Sequence, residues 1–306
     1  MTRSQPDFFI VGAPKCGTTS LDRYLSEHPQ VFMGEKESHH FSDDLLIQTE
    51  PLADRETYLA LFAQRGDEKR AGESSVYYLQ SRKAARNIHE FDPEAKIIMH
   101  FRNPIELLYS HHSQLLYEGI QEIEDFSDAL DAIGDRRWED DDIRARVRVP
   151  EALDYWGVVD FLPQIERYRE VFPAESLHVI LFDDLMSDPE GVYKGALDFL
   201  GVDSSFAPDF TRHNRNKVVR SPRLREMLGD PPPWISVPAR LLLPLSMRNR
   251  IKQRVKRANT RFVQRAPMAE ATRRRLADRL ETTIRDLGTY LGRDLSGWLG
   301  GASVAR

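Results

Sequence analysis

The sequence predicts an α/β fold: a mostly parallel sheet between two layers of helices, with a helical C-terminal extension. Three observations lead there. Short apolar runs without polar alternation, as strands covered on both faces require, stand at Phe8–Val11, around Ala71–Gly72, at Lys96–Phe101 and at Leu177–Phe182. Helical patterns alternate with them, as βα units demand. Beyond Pro244 the pattern is helical alone.

In chain order, Phe8–Val11 (FFIV) is a buried strand, and Thr18–Glu27 is a helix with Thr18 or Thr19 as N-cap and Pro29 past its end. Val31–Met33 is a short apolar run, and Arg82–Glu90 follows the weak strand at Ala71–Gly72 as a helix. KIIMHF, Lys96–Phe101, is the best-marked strand; it runs into a helix over Pro104–Glu118 whose proline suits a first turn. Helix Tyr155–Val171, strand Leu177–Phe182 (LHVILF) and helix Pro189–Leu200 continue the alternation. The prolines of 231–244 (PPPWISVPARLLLP) exclude one continuous helix there. Ser246–Val263 and Met268–Leu291 read as helices, the second with Leu276, Leu280, Ile284, Leu287 and Leu291 on one face. With no internal repeat or low-complexity tail, the economical reading is one domain over 1–306: a core of 1–230 and a basic helical extension of 231–306.

The 306 residues are 41% hydrophobic, enough for a sizeable core, and a net charge of −5 makes no case for nucleic acid as a partner. Cys16 is the single cysteine, which excludes an intrachain disulfide and a cysteine-rich metal site and suits a reducing compartment. Without a secretory h-region or a spanning apolar stretch, the expectation is a cytoplasmic protein. Charge is uneven: residues 121–142 hold ten carboxylates and two arginines, whereas 231–269 hold nine basic residues and no carboxylate. These stretches read either as solvated surfaces facing each other or, for the basic one, as a dock for an acidic substrate or an anionic membrane. Trp234, Ile235 and Leu241–Leu243 beside its arginines suit peripheral membrane contact through 231–265.

The strongest motif is FIVGAPKCGTTSLDRYLSEHP, residues 9–29. Strand, glycine-bounded loop and helix N-terminus together build an anion site from backbone N–H groups and the helix dipole. Gly12 and Gly17 have the spacing of a Walker loop, but Lys15 lies inside the loop, and Thr18, Thr19 and Ser20 follow it. The neighbouring strand KIIMHF ends in Arg102, where a nucleotide-binding Mg²⁺ site would place a carboxylate. Arg102, with Ser110 two turns into the next helix, instead suggests a second, metal-free anion site. The alternative is a divergent P-loop kinase or NTPase, which would require Mg²⁺.

G-A-P-K-C-G-T-T-S-L followed by F-R-N-P-x-x-x-x-Y-S resembles the donor signature of sulfotransferases that use 3′-phosphoadenosine 5′-phosphosulfate (PAPS), in the bacterial form related to the heparan-sulfate sulfotransferase domain. The resemblance implies a P-loop-like three-layer fold. It assigns Lys15, Cys16, Gly17, Thr18, Thr19 and Ser20 to the 5′-phosphosulfate and Arg102 and Ser110 to the 3′-phosphate. In RHNRNKVVRSP, residues 212–222, Lys217 and Arg220 would close over that phosphate. KESHHFSDD, residues 36–44, resembles the family's K-E-x-H-F-F, which makes Glu37 the catalytic base and gives His39 the task of orienting either the acceptor or the glutamate; His40 and Ser42 depart from the pattern. GESSVYYL, residues 72–79, resembles G-E-K-[ST]-P-x-Y-L, which places Ser75 and Tyr78 on the acceptor side with Glu37 and His39, although Tyr77 and Tyr78 read equally well as core aromatics. Ser74 replaces the lysine that lies near acidic sugars in glycosaminoglycan enzymes, and Val76 replaces the proline. The implied reaction moves a sulfuryl group in line to an acceptor hydroxyl, releases adenosine 3′,5′-bisphosphate (PAP), and needs no metal. Carbohydrate, glycolipid and small natural product all fit as acceptors.

Overall fold

The computed structural model describes residues 5–45, 54–133, 150–210, 217–221, 223–224, 227, 231–232 and 245–300. Strands β1 (Phe8–Gly12), β2 (Val31–Met33), β3 (Arg70–Ser74), β4 (Lys96–Phe101) and β5 (Leu177–Leu181) form a parallel sheet in the order β2-β3-β1-β4-β5. Every residue of β1 is buried, and its side chains alternate between two cores. Phe9 and Val11, with Ile97 and Met99, enter one; Phe8 and Ile10, with Ile98, enter the other. Helices α1 (Thr18–Ser26) and α9 (Pro189–Leu200) cover the second face through Leu21, Tyr24, Leu25, Tyr193 and Leu197. On the first face lie α3 (Ala84–Phe91) and α4 (Pro104–Glu118). This is the expected three-layer α/β fold.

Several helices differ from expectation, each for a physical reason. Tyr155–Val171 divides into α6 (Tyr155–Val159) and α7 (Phe161–Arg169), with Asp160 at φ −78°, ψ 64° between them. Pro163 accounts for the break: inside one continuous helix its ring would clash with the carbonyl of Val159, whereas in a new first turn its missing N–H costs nothing. Phe182 leaves the predicted strand and opens the short helix α8 (Phe182–Ser187). The basic helix α10 runs from Leu245 to Ala258, and the remainder of its predicted span turns into strand β7 (Thr260–Phe262), paired antiparallel with β6 (Lys217–Val219). Asn259 makes that turn by bridging to the backbone of Ser221, accepting from its N–H at 2.9 Å and donating to its carbonyl at 3.0 Å. Between these elements lie α2 (Arg55–Ala60) and α5 (Phe126–Ala132), which the periodicity does not signal.

The C-terminal extension shares the core of the sheet domain. Helix α11 (Glu270–Leu291) buries Leu276, Leu280, Ile284 and Leu287 in the same cluster as Phe101 and Phe161, each contributing about 2 kcal/mol. Leu291 is partly buried against that cluster. Trp298 then donates from Nε1 to Asp183 at 2.7 Å and accepts at its carbonyl from Asn103 at 2.9 Å, joining the tail to the ends of β4 and β5. Residues 134–149, most of 222–230 and all of 233–244, including Trp234, Ile235 and Leu241–Leu243, lie outside the described residues. Of the acidic stretch, Asp131 pairs with Arg275 of α11 at 2.6 Å.

Candidate active site

β1 is the point where the chain reverses direction across the sheet, since β3 and β2 lie to one side and β4 and β5 to the other. A ligand crevice opens at the carboxyl ends of strands around such a reversal. The loop after β1 and Arg102 after β4 are therefore neighbours by topology, although 87 residues separate Lys15 from Arg102. Arg102 donates from Nη1 to the Lys15 carbonyl at 3.2 Å, and its guanidinium lies over the Phe182 ring at 4.4 Å. The Trp298–Asp183 bond fixes the helix that carries Phe182, so the C-terminal tail supports the arginine.

The loop is shaped by two glycines. Gly17 has φ +91°, and a Cβ there would come within 2.7 Å of Leu185; a Cβ on Gly12 would meet the Val76 carbonyl at 2.4 Å. Gly17, rather than Thr18 or Thr19, is the N-cap of α1, and the helix begins with no side-chain cap. An uncapped N-terminus leaves its amides and partial positive charge for a ligand. Thr18 is buried and accepts from Lys36 at 3.4 Å, Thr19 is half-buried, and Ser20 hydrogen-bonds the phenol of Tyr24. Cys16 is fully buried beneath the loop with its thiol pushed up to about 12 by burial, so the side chain packs and only its backbone faces a ligand.

Lys15 is the electrostatic centre. Its ammonium donates to Gln114 Oε1 at 3.0 Å, and Gln114 in turn donates to Glu118 at 2.6 Å. Burial first, then the charges of Arg265, Lys217 and Arg102 against the opposing effect of Glu118, lower it to about 8. Ser110 is buried on α4, where Arg265 reaches its Oγ at 3.3 Å and that of Ser113 at 2.9 Å. Tyr109 holds the Arg265 segment by donating to the Ala266 carbonyl at 2.9 Å and by lying under the guanidinium at 5.2 Å. Lys217 lies near enough to the loop lysine for its charge to act on it. Arg220 is exposed, its backbone N–H held by the Asn259 carbonyl at 2.8 Å, and Arg265 stands at Ser110 instead.

Across the loop, Glu37 and His39 form a dyad, with His39 Nε2 3.1 Å from Glu37 Oε2. The Val76 N–H also donates to Oε2 at 3.1 Å. Burial pushes the carboxyl up, but the His39 hydrogen bond, the Lys36 charge and the Val76 amide outweigh it and hold Glu37 below the usual range. The group is a carboxylate at neutral pH, a third of it open to solvent. Lys36 ties this dyad to the loop: its ammonium lies 3.0 Å from Ser74 Oγ, 3.4 Å from Thr18 Oγ1 and 3.6 Å from Glu37 Oε1. Among the described residues, the non-glycine residues at positive φ are Lys15 (63°), Glu37 (63°) and His39 (54°), all of them candidate catalytic residues.

Ser75 and Tyr78 stand elsewhere than the resemblance implies, and Tyr78 takes the core position that the sequence equally allows. Both are fully buried, and both donate to Glu73, a buried carboxylate that also accepts from Ser38 at 2.8 Å and Tyr58 at 3.2 Å. Burial raises the Glu73 carboxyl, with the hydroxyl donors opposing it. These residues build a polar core behind the dyad rather than a surface toward an acceptor. His40 stacks on Tyr58 with ring centres 4.1 Å apart, which turns it away from His39. Among the described residues, no group of three or more His, Cys, Asp or Glu is placed to hold a metal ion.

A family model described as "Sulfotransferase domain" matches residues 5–232. The chain belongs to the sulfotransferase family. Human heparan sulfate glucosamine 3-O-sulfotransferase 6 is 29% identical over 207 residues, 65% of this chain and 53% of the human protein. Rat carbohydrate sulfotransferase 15 is 30% identical over 152 residues, 36% of this chain and 27% of the rat protein. The chain thus spans about half or less of the length of these curated relatives. Over nearly its whole length it is similar to the crystal structure of a sulfotransferase from Alicyclobacillus acidocaldarius, with TM-score 0.69 and 27% identity, covering 96% of this chain and 98% of that one. Sulfotransferase sequence and three-layer fold therefore agree.

Sequence reasoning missed three residues of this site. Arg265 lies 155 positions from Ser110 in sequence and was legible only as one of many basic residues. Lys36 adjoins Glu37 in the quoted motif, and Gln114 lies one helical turn beyond Ser110, on the same face of α4. That spacing was a usable signal.

Proposed function

We propose that the protein transfers a sulfuryl group from PAPS to an acceptor hydroxyl. The observation that carries this reading is the convergence of Lys15, Arg102, Lys217 and Arg265 around an uncapped helix N-terminus, facing the Glu37–His39 dyad across Lys36. In this reading the loop amides, Lys15 and Thr18 hold the 5′-phosphosulfate, while Arg102, Ser110, Arg265 and Lys217 hold the 3′-phosphate. Glu37 takes the proton of the acceptor hydroxyl as its oxygen attacks sulfur, and His39 Nε2–H orients the carboxylate. The bond from sulfur to the phosphate oxygen breaks as the new S–O bond forms. Negative charge then grows on the released phosphate, where the Lys15 ammonium stands to stabilise it. Ser75 and Tyr78 act as positioning residues through Glu73 instead of touching the acceptor. Carbohydrate hydroxyls lead among acceptors because the relatives are carbohydrate sulfotransferases by name. Ser74, in the place of a lysine, favours an acceptor less acidic than a uronic-acid polymer. Neither the geometry nor the comparisons favour a kinase, since β4 is followed by an arginine stacked on Phe182 instead of a metal-binding carboxylate.

The test is titration calorimetry with PAP in EDTA, with Mg·ATP as comparator. Tight metal-independent PAP binding, weakened at least about tenfold in Arg102→Ala, is expected from the loss of a charge-assisted phosphate contact. Absence of PAP binding, or binding of Mg·ATP alone, would overturn the reading.

A further inference from the structure

Residues 245–262, which form α10 and β7, carry seven basic residues (Arg248, Arg250, Lys252, Arg254, Lys256, Arg257 and Arg261) and no carboxylate. On a helix of 3.6 residues per turn, Met247, Ile251, Val255 and Ala258 fall on one stripe, with arginines at its borders and Arg254 within it. An amphipathic helix of a globular protein turns such a stripe inward, as α11 does. Here the stripe faces outward: Met247 is 47% and Ile251 46% exposed, and the adjoining Phe262 of β7 is 57% exposed. Among the described residues these are three of the four large exposed hydrophobic side chains. No carboxylate among the described residues pairs with Arg250, Arg254, Arg257 or Arg261.

We propose that the outward face of α10, together with Phe262, docks on an anionic lipid surface. A polyanionic sugar chain or an acidic protein segment would satisfy the arginines but leave Met247, Ile251 and Phe262 in water. The headgroup boundary of an anionic bilayer takes both, with the apolar stripe lying at the acyl edge and the flanking guanidinium groups at the phosphates. The docked face continues through Asn259 and β7 to Arg265, which rests on Ser110. Lipid binding and the donor site are therefore joined by one short segment. The inference does not depend on which acceptor is sulfated.

The experiment is vesicle flotation of the full chain, comparing phosphatidylcholine alone with phosphatidylcholine mixed with phosphatidylglycerol. Binding to the anionic vesicles alone is expected, weakening as salt rises. Each cation near such a surface strengthens adhesion about fivefold, so Arg250→Glu/Arg254→Glu should lower partition by more than about tenfold. Met247→Glu/Ile251→Glu should do the same, because it removes the inserting side chains. Arg274→Glu/Arg285→Glu, a matched charge change on the exposed face of α11, should leave partition nearly unchanged. Folding of each variant is checked by its PAP affinity or thermal transition. As a second readout, the tryptophan of Phe262→Trp should be quenched by brominated acyl chains beyond the quenching of the wild type. Failure to float with anionic vesicles, full binding by Met247→Glu/Ile251→Glu, or unquenched Phe262→Trp would each overturn the proposal. Retention on a heparin column without flotation would reassign the face to an acidic polymer.

Discussion

Affinity for PAP should fall as pH rises through about 8, and Lys15 should be the cause. Burial, then Arg265, Lys217 and Arg102, lower its ammonium from 10.5 to about 8, with Glu118 opposing them. At pH 7 about nine in ten copies are charged, and at pH 9 about one in ten. A bound bisphosphate favours the charged form, so binding at pH 9 should take up nearly one proton per site. The apparent Kd should rise by up to about tenfold between pH 7 and pH 9. The same displacement acts on stability with a definite sign. A lysine whose folded value lies below its unfolded value penalises the folded state, fully below pH 8 and progressively less between 8 and 10.5. That displacement is worth about 3 kcal/mol at pH 7. Lys15→Met should therefore stabilise the empty protein at pH 7 while weakening PAP binding, a trade of stability for function of the kind active sites make. Calorimetry in two buffers of different ionisation enthalpy measures the proton uptake, and urea unfolding measures the stability change. PAP affinity that stays flat from pH 7 to pH 9.5, or that keeps the same slope in Lys15→Met, would refute the argument.

Glu37→Gln should keep PAP affinity and lose about 10²- to 10⁴-fold in sulfuryl turnover, since the amide cannot accept the acceptor's proton. Turnover near that of the wild type would end its assignment as the base. Arg265→Ala should weaken PAP by about tenfold or more, whereas Arg220→Ala should change it little; competition binding distinguishes the two, and the reverse order would return the 3′-phosphate to Arg220. Trp298→Phe should lose about 1–2 kcal/mol of stability in urea unfolding and weaken PAP, because it frees the Asp183 carboxylate and loosens Phe182 beneath Arg102. Unchanged PAP affinity in a destabilised Trp298→Phe would confine the C-terminal tail to a structural role.

What was legible in the sequence was what depends on neighbours in sequence. KIIMHF is apolar throughout, and Asn103 caps the following helix by accepting from Ile105 N–H at 3.0 Å, so β4 and α4 begin and end where the pattern places them. Pro189–Leu200 is bounded equally well, by the Asp188 cap and by Gly201 in the left-handed region. The donor loop was readable because its chemistry is carried by adjacent residues. Long-range partners defeated the pattern elsewhere. The basic helix stops at Ala258 because Asn259 finds Ser221, 38 positions away, which no local propensity encodes. Arg265 was hidden among like residues until the fold carried it to Ser110. The resemblance of GESSVYYL places Ser75 and Tyr78 on the acceptor side, while composition alone allows Tyr78 a place in the core. Their hydroxyls turn inward because a buried Glu73 carboxylate needs donors more than an open cleft does.

That buried carboxylate and the strained backbone have one explanation. Ser38 lies between Glu37 and His39 in sequence, and its side chain is buried with Oγ donating to Glu73 at 2.8 Å. The left-handed conformations of the two flanking residues let Ser38 point into the core while Glu37 and His39 meet each other at the cleft. Left-handed backbone at a residue other than glycine costs about 1–3 kcal/mol and persists only where its surroundings over-determine it. The determinants are present: Glu37 N–H donates to the Ser74 carbonyl at 2.9 Å, and His39 N–H donates to Ser75 Oγ at 3.1 Å. Ser75 is itself held by Glu73, and Tyr78 OH accepts from the Phe41 N–H at 3.3 Å. Glu73 is thus the common anchor of a segment that would otherwise relax. An apolar residue there would be the more stable choice by burial alone, but it could not hold four hydroxyls or aim the dyad. The cost of burying Glu73 is the cost of presenting Glu37 as a fixed, ionised carboxylate beside Lys36.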